Sequence, residues 1–255
     1  MLLVASALKG YAIEASDGRI GTVSDLLLDD SSWKLRWLVV ETGTWLSDRK
    51  VLLHPSAIGQ PDHERQTLPV NLTTHQVEAS PASMTDRPVS QQMESSLYRY
   101  YGWDPMWGGG SYFGTGGIAS PISAPPLFGA DARDAAAGDT LLDEGDPHLR
   151  SVAELSGYHI AATDGEVGHV DNLLIDDVTW SVRYIVVDTK NWWPGKHVLI
   201  SPYAVGKIHW DTRVVGVDVS KERVLESPPW EPSAIIDQYY EKRLHTHYGW
   251  PGYGW

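Results

Sequence analysis

The stretch Gly10-Tyr-Ala-Ile-Glu-Ala-Ser-Asp-Gly-Arg-Ile-Gly21 returns as Gly157-Tyr-His-Ile-Ala-Ala-Thr-Asp-Gly-Glu-Val-Gly168, 147 positions later. At the same offset Leu26-Leu-Leu-Asp-Asp30 becomes Leu173-Leu-Ile-Asp-Asp177, Trp33 becomes Trp180, Arg36 becomes Arg183, and Ser80-Pro81 becomes Ser227-Pro228. Tyr101-Gly-Trp103 returns as Tyr248-Gly-Trp250, so the correspondence runs to the end of each copy without a gap. A period this long is well beyond that of solenoid repeats, and two copies of one domain are the economical reading. The expected boundaries are 1–105 for the first copy, 106–147 for a connector and 148–255 for the second.

Within each copy the pattern is that of short strands. Ile20 to Leu28 ends in an apolar run, Asp29-Asp-Ser-Ser32 is turn chemistry, and Trp33 to Glu41 is rich in β-branched and aromatic residues, which together predict a hairpin. Further strands are expected at Val51–His54 and Val198–Ser201, and at Thr67–Leu72 and Val214–Val219. Strands this short and regularly spaced predict a mainly β fold: two small antiparallel barrels, each followed by a short C-terminal helix. Thr73 and Ser220 are expected to cap single helical turns that stop at Ser-Pro, since a proline disfavours helix in the residue before it. A longer helix follows in each copy, capped by Ser90 or Asp237 and ended by Gly102 or Gly249.

The connector holds Gly108-Gly-Gly110, Gly116-Gly117 and Pro125-Pro126, a flexible-linker composition, together with the only two phenylalanines, Phe113 and Phe128.

The repeated residues resemble the PRC-barrel family. They read Gly-Tyr, Asp-Gly, Gly, Leu-Leu-Asp-Asp, Trp, Arg, then Val-Val-Glu/Asp-Thr and Val-Leu-Leu/Ile-x-Pro, over roughly residues 6–105 and 153–252. That family is named for the cytoplasmic domain of the photosynthetic reaction-centre H subunit. It also includes the C-terminal domain of the ribosome-maturation factor and stand-alone bacterial proteins. The resemblance implies a small β-barrel used as a docking module, with no shared active site.

Composition narrows the function classes. A formal net charge of −13 and a pI near 5.1 argue against a nucleic-acid binder, whose affinity rests on Lys and Arg displacing counterions, and favour a basic or neutral protein partner. Zero cysteines exclude disulfides, zinc–thiolate sites and thiol catalysis. The apolar start Met1-Leu-Leu-Val-Ala-Ser-Ala-Leu8 lacks a basic leader and aligns with Leu149 to Leu155, so it reads as the domain's own entry segment. No apolar run approaches the roughly 18 residues of a membrane span, and a soluble cytoplasmic protein without membrane insertion is expected.

No catalytic, cofactor or metal residues are expected. The Asp29-Asp30 and Asp176-Asp177 pairs read as solvated turns, because adjacent carboxylates point apart. None of the ten histidines falls on a histidine of the other copy: His54 meets Ser201 and His197 meets Lys50, which argues against a shared histidine site. His245 and His247 remain a single-copy ligand pair to consider. Arg36 and Arg183 sit mid-strand among apolar residues and are expected to pair with Asp29 and Asp176. Trp33, Trp180, Trp103 and Trp250 are expected to be structural, whereas Trp45, Trp192 and Trp193 fall in predicted loops and are the candidate interface anchors. Protein docking is thus the leading expectation, with a small-ligand or metal-binding regulatory module second and a carbohydrate-active enzyme third. Similar copies carry similar surfaces, so the two barrels are further expected to pair within the chain about an approximate two-fold axis.

Overall fold

The computed structural model describes residues 1–46, 49–81, 91–103, 146, 148–189, 196–232 and 234–253, with the side chains of Trp45, Gln91 and Gln92 excepted. The connector expected over 106–147 lies outside these residues apart from Asp146.

The first copy contains β1 (Leu2–Val4), β2 (Ala12–Ala15), β3 (Gly18–Asp29), β4 (Lys34–Glu41), β5 (Lys50–Leu53) and β6 (Thr67–Pro69), then helices α1 (Thr74–Glu78) and α2 (Gln91–Tyr101). The second contains β7 (Leu149–Ser151), α3 (Val152–Leu155), β8 (His159–Ala162), β9 (Gly165–Asp176), β10 (Val182–Asp188), β11 (His197–Ile200), β12 (Val205–His209), β13 (Val214–Val217), α4 (Lys221–Leu225) and α5 (Gln238–Tyr248). The hairpins, their caps and the helix ends follow local chemistry. Thr73 and Gln76 form a reciprocal capping box, Ser220 and Asp237 cap α4 and α5, and Gly249 ends α5 in the left-handed conformation at φ 77°.

One correction falls on Trp33. Its aromatic bulk suggested a strand residue, but the structure places it and Trp180 in the hairpin turns at φ 57° and 52°, with both side chains buried. The turn geometry sets the backbone here, and core packing of the indole holds a conformation that non-glycine residues seldom adopt.

The chain is mainly β, in two mixed sheets. In the first the order is β5-β4-β3-β2-β6, and in the second β11-β10-β9-β8-β13-β12. Among the described residues neither closes on itself through hydrogen bonds, and neither is wholly antiparallel. The chain crosses over after β5 in the first copy and after β11 in the second, where it enters the antiparallel β12–β13 pair, so β6 runs parallel to β2 and β13 parallel to β8. The twelve-residue strands β3 and β9 bend enough to serve several neighbours. Gly21 and Gly168 make this possible: a Cβ there would lie 2.1 Å from the Glu41 carbonyl oxygen and 2.2 Å from that of Asp188. Only glycine allows the strands to approach so closely.

The two entry strands change places. β1, from the first copy, pairs with β9 of the second sheet, Leu2 opposite Asp176 and Val4 opposite Leu174. β7 pairs with β3 of the first sheet, Leu27 opposite Ser151 and Asp29 opposite Leu149. Between them the hairpin turns meet: the Leu35 amide donates to the Trp180 carbonyl at 2.8 Å, and the Val182 amide to the Trp33 carbonyl at 2.7 Å. One continuous apolar core runs through both halves, from Leu3, Ile13 and Leu35 to Ile160, Ile185 and Val215. Burial of apolar surface on this scale is the main stabilising term, and here both copies share it.

Candidate functional site

Each sheet has a second, outer apolar face, and a C-terminal helix lies across it. Trp37 and Leu52 meet Leu97 of α2, and Tyr184 and Leu199 meet Leu244 of α5. Residues three and four apart share a helix face, so Met93, Leu97 and Tyr101 turn inward together and bring Glu94 with them. The Glu94 carboxylate is buried and accepts from Arg36 Nη2 and from the Trp37 indole N–H.

Arg36 is the centre of this cluster. Besides Glu94, its Nη1 donates to Asp146 Oδ2 at 2.7 Å and lies 3.4 Å from Asp29 Oδ2. Burial opposes the guanidinium charge, but Glu94, Tyr98 and Asp146 more than offset that, and its pKa ends above the ordinary value. For Asp29, burial pushes the carboxyl up. Hydrogen bonds from Ser31 and Ser32 and the Arg36 charge outweigh it and hold the group below the usual carboxylate range. Burial pushes Glu94 up to about 7 against the pull of Arg36 and Trp37. His54, packed among Trp37, Tyr98 and Trp103, is pushed down to about 4, first by burial and then by Arg36.

The second copy repeats the clamp with different rings. Arg183 Nη2 donates to Glu241 at 2.9 Å, Nη1 lies 3.3 Å from Asp176, and Tyr184 OH donates to Glu241 where Trp37 does in the first copy. Tyr253 lies under the guanidinium, its ring centroid 3.8 Å from Cζ, and its hydroxyl donates to the Arg183 carbonyl. Removing one partner of such a buried pair leaves an uncompensated charge, at about 3–5 kcal/mol. The clusters therefore lock each helix to its sheet.

The pairs Arg36–Asp29 and Arg183–Asp176 were legible from the hairpin alone. Glu94, Asp146 and Glu241 were not singled out, although Glu94 and Glu241 share the repeat offset and sit among apolar helix positions, which was the available signal. Trp103 stacks on Tyr101 at 4.1 Å and Trp250 on Tyr248 at 4.0 Å, each against its own helix and sheet. The side chain of Trp45, and all of Trp192 and Trp193, lie outside the described residues. His245 meets Tyr184 OH and the Pro251 carbonyl, while His247 meets the Arg223 carbonyl, so the two rings serve different partners. Among the described residues no group of His, Asp and Glu could hold a metal ion.

The doubled aspartates hold the copies together instead of facing solvent, which corrects the reading of them as solvated turns. Asp30 pairs with His148 and Arg150 beside β7, Asp177 takes the Met1 ammonium, and Asp25 accepts from Ser151 Oγ and the Ala153 amide. The sequence could not show this, because the partners belong to the other copy's entry segment.

Outward of the clamps lies a different surface. Tyr239, 69% exposed, lines an open groove with Pro228, Pro229, Lys242, Arg243 and His247, and Ile235, four residues before it, is 91% exposed. Among the described residues no helix is long and apolar enough to cross a membrane.

No curated protein matches the chain. The family model of the PRC-barrel domain does match, over residues 5–73, the span from the entry turn through β6 to the cap of α1. The first copy of this chain, over residues 5–73, is a PRC-barrel domain.

Proposed function

We propose that this chain is a non-enzymatic, cytoplasmic tandem PRC-barrel protein that docks a protein partner on the outer face of its C-terminal helices. The observation that carries the reading is the pair of arginine clamps. In both copies the conspicuous charges hold a helix to a sheet, with Arg36 and Glu94 buried and Arg183 and Glu241 half-buried, and their charged groups are engaged with one another. What α5 and the segment leading into it present outward is Tyr239, in the first turn of the helix, and Ile235, two residues before its Asp237 cap, large side chains that are costly to leave in water and suited to an interface.

A neutral partner surface satisfies the charges. The net charge of −13 repels acidic proteins at a distance, while Lys242 and Arg243 repel basic ones at the groove.

The test is a photoreactive benzophenone residue placed at position 239 in the native host, with position 178, whose valine is 67% exposed on the β9–β10 turn outside the groove, as the control. The expected result is one predominant crosslinked partner from position 239, lost when Ile235→Asp is added. Equal crosslinking from both positions, or none from 239, would overturn the reading.

A further inference from the structure

A groove of about 270 Å³ lies on the axis relating the two copies. Its lining residues come in pairs at the repeat offset. The floor is made by β3 and β9, with Val23 opposite Val170 and Leu26 opposite Leu173, and the walls by the entry segments, with Ala5 opposite Val152. Up to this point the groove is symmetric and apolar.

At its polar positions the symmetry fails. Asp25 and Asn172 occupy equivalent places and are both used internally: Asp25 accepts from the Ala153 amide, and Asn172 from the Ser6 amide. Of the remaining three pairs Ser6 and Ala153 are uncharged, and the other two differ in charge. Lys9 stands where the second copy has Ser156, and Asp171 stands where the first has Ser24. The Lys9 ammonium is exposed and has no hydrogen-bond or ion-pair partner among the described residues. The Asp171 carboxylate is exposed as well, with only His197 nearby at 4.0 Å. The Asp25 carboxylate also lines the groove, but three donors already engage it, the Leu26 and Ala153 amides and Ser151 Oγ, so the charges left for a ligand are Lys9 beside Ser24 on one rim and Asp171 beside Ser156 on the other.

We infer that this axial groove binds a small zwitterion of the amino-acid class, with its carboxylate toward Lys9, its ammonium toward Asp171 and its short apolar body along the valine and leucine floor. The inference is independent of the docking surface on α5, which lies on residues the groove does not include. A compact ligand held by exposed charges binds at millimolar strength, and salt weakens it.

The probe is 6-aminohexanoate, with hexanoate and hexylamine as single-charge controls, titrated into the full chain and followed by amide chemical shifts. The expected result is saturable movement of the Val23, Leu26, Val170 and Leu173 amides below about 20 mM. Each control should bind about fivefold more weakly, the scale of one exposed ion pair. Lys9→Ser, which copies the second repeat, should bring 6-aminohexanoate down to the level of hexylamine while leaving the unliganded spectrum folded. Asp171→Ser should bring it down to that of hexanoate. No saturable shift at those amides, equal affinity for all three probes, or unchanged binding in both variants would overturn the inference. None of these results bears on crosslinking at position 239.

Discussion

His54 and Glu94 are buried on either side of Arg36, and their protonation equilibria are displaced in opposite directions. His54 has its pKa lowered from 6.5 to about 4, and Glu94 has its raised from 4.5 to about 7. For His54 the folded value lies below the ordinary one, so its contribution is present above pH 6.5 and is lost as pH falls toward 4. For Glu94 the folded value lies above, so its contribution is present below pH 4.5 and is lost as pH rises toward 7. Each pK unit corresponds to about 1.4 kcal/mol, and integrating either group between pH 4.5 and 6.5 gives about 2 kcal/mol, opposite in sign. In the intact protein the two cancel across that window. Substitution uncovers them. His54→Ser, which installs the residue the second copy has at Ser201, should lose about 2 kcal/mol of stability relative to the parent protein as pH rises through the window. Glu94→Gln should gain about 2 kcal/mol over the same interval. Urea unfolding of the three proteins at intervals of pH measures both slopes, and comparison with the parent removes the background of all other groups. Parallel pH profiles for the parent and both variants would refute the opposed-titration argument. A profile parallel to the parent for one variant alone would show that only the other group is displaced.

Three further outcomes follow from the packing. Gly21→Ala and Gly168→Ala should each destabilise by at least about 2 kcal/mol in urea unfolding, since the added methyl meets a backbone carbonyl that cannot yield without parting the strands. Removing residues 1–4 should speed hydrogen exchange at the amides of Leu174 to Asp176, in the second sheet, and leave Leu27 to Asp29 in the first sheet protected. Trp103→Ala and Trp250→Ala should each lower thermal stability by about 2–3 kcal/mol, because both indoles are stacked and partly buried against their own helix and sheet.

Much of the fold was legible because its signals are local. The hairpin of β3 and β4, the capping box at Thr73 and the cap at Asp237 depend on residues a few positions apart, and the repeat supplied an independent second reading of each. Arg36 with Asp29 was legible for the same reason, since strand pairing brings positions seven apart together across one turn. Glu94 and Asp146 reach Arg36 from 58 and 110 positions away, and no local pattern carries that information. The exchange of β1 and β7 was hidden for a subtler reason. The two sheets present similar edges, so an entry strand of three residues, Leu-Leu-Val in β1 and Leu-Arg-Ser in β7, does not declare which edge it will join. Trp33 misled because its side chain suits a strand while its backbone belongs to the turn.

The strand exchange also sets an order for events on the ribosome. The first sheet can form its β2–β6 portion once residue 69 has emerged, but the edge of β3 at Leu27 to Asp29 stays open until Leu149 to Ser151 follow. At about 5–20 residues per second that interval lasts several seconds, and meanwhile β1 has no second sheet to join. The nascent chain must therefore carry two unsatisfied edges, each the intended partner of a strand in the other half. During those seconds a neighbouring nascent chain of the same sequence is a competitor for both, so crowded polysomes are where interlocked dimers of this protein would arise.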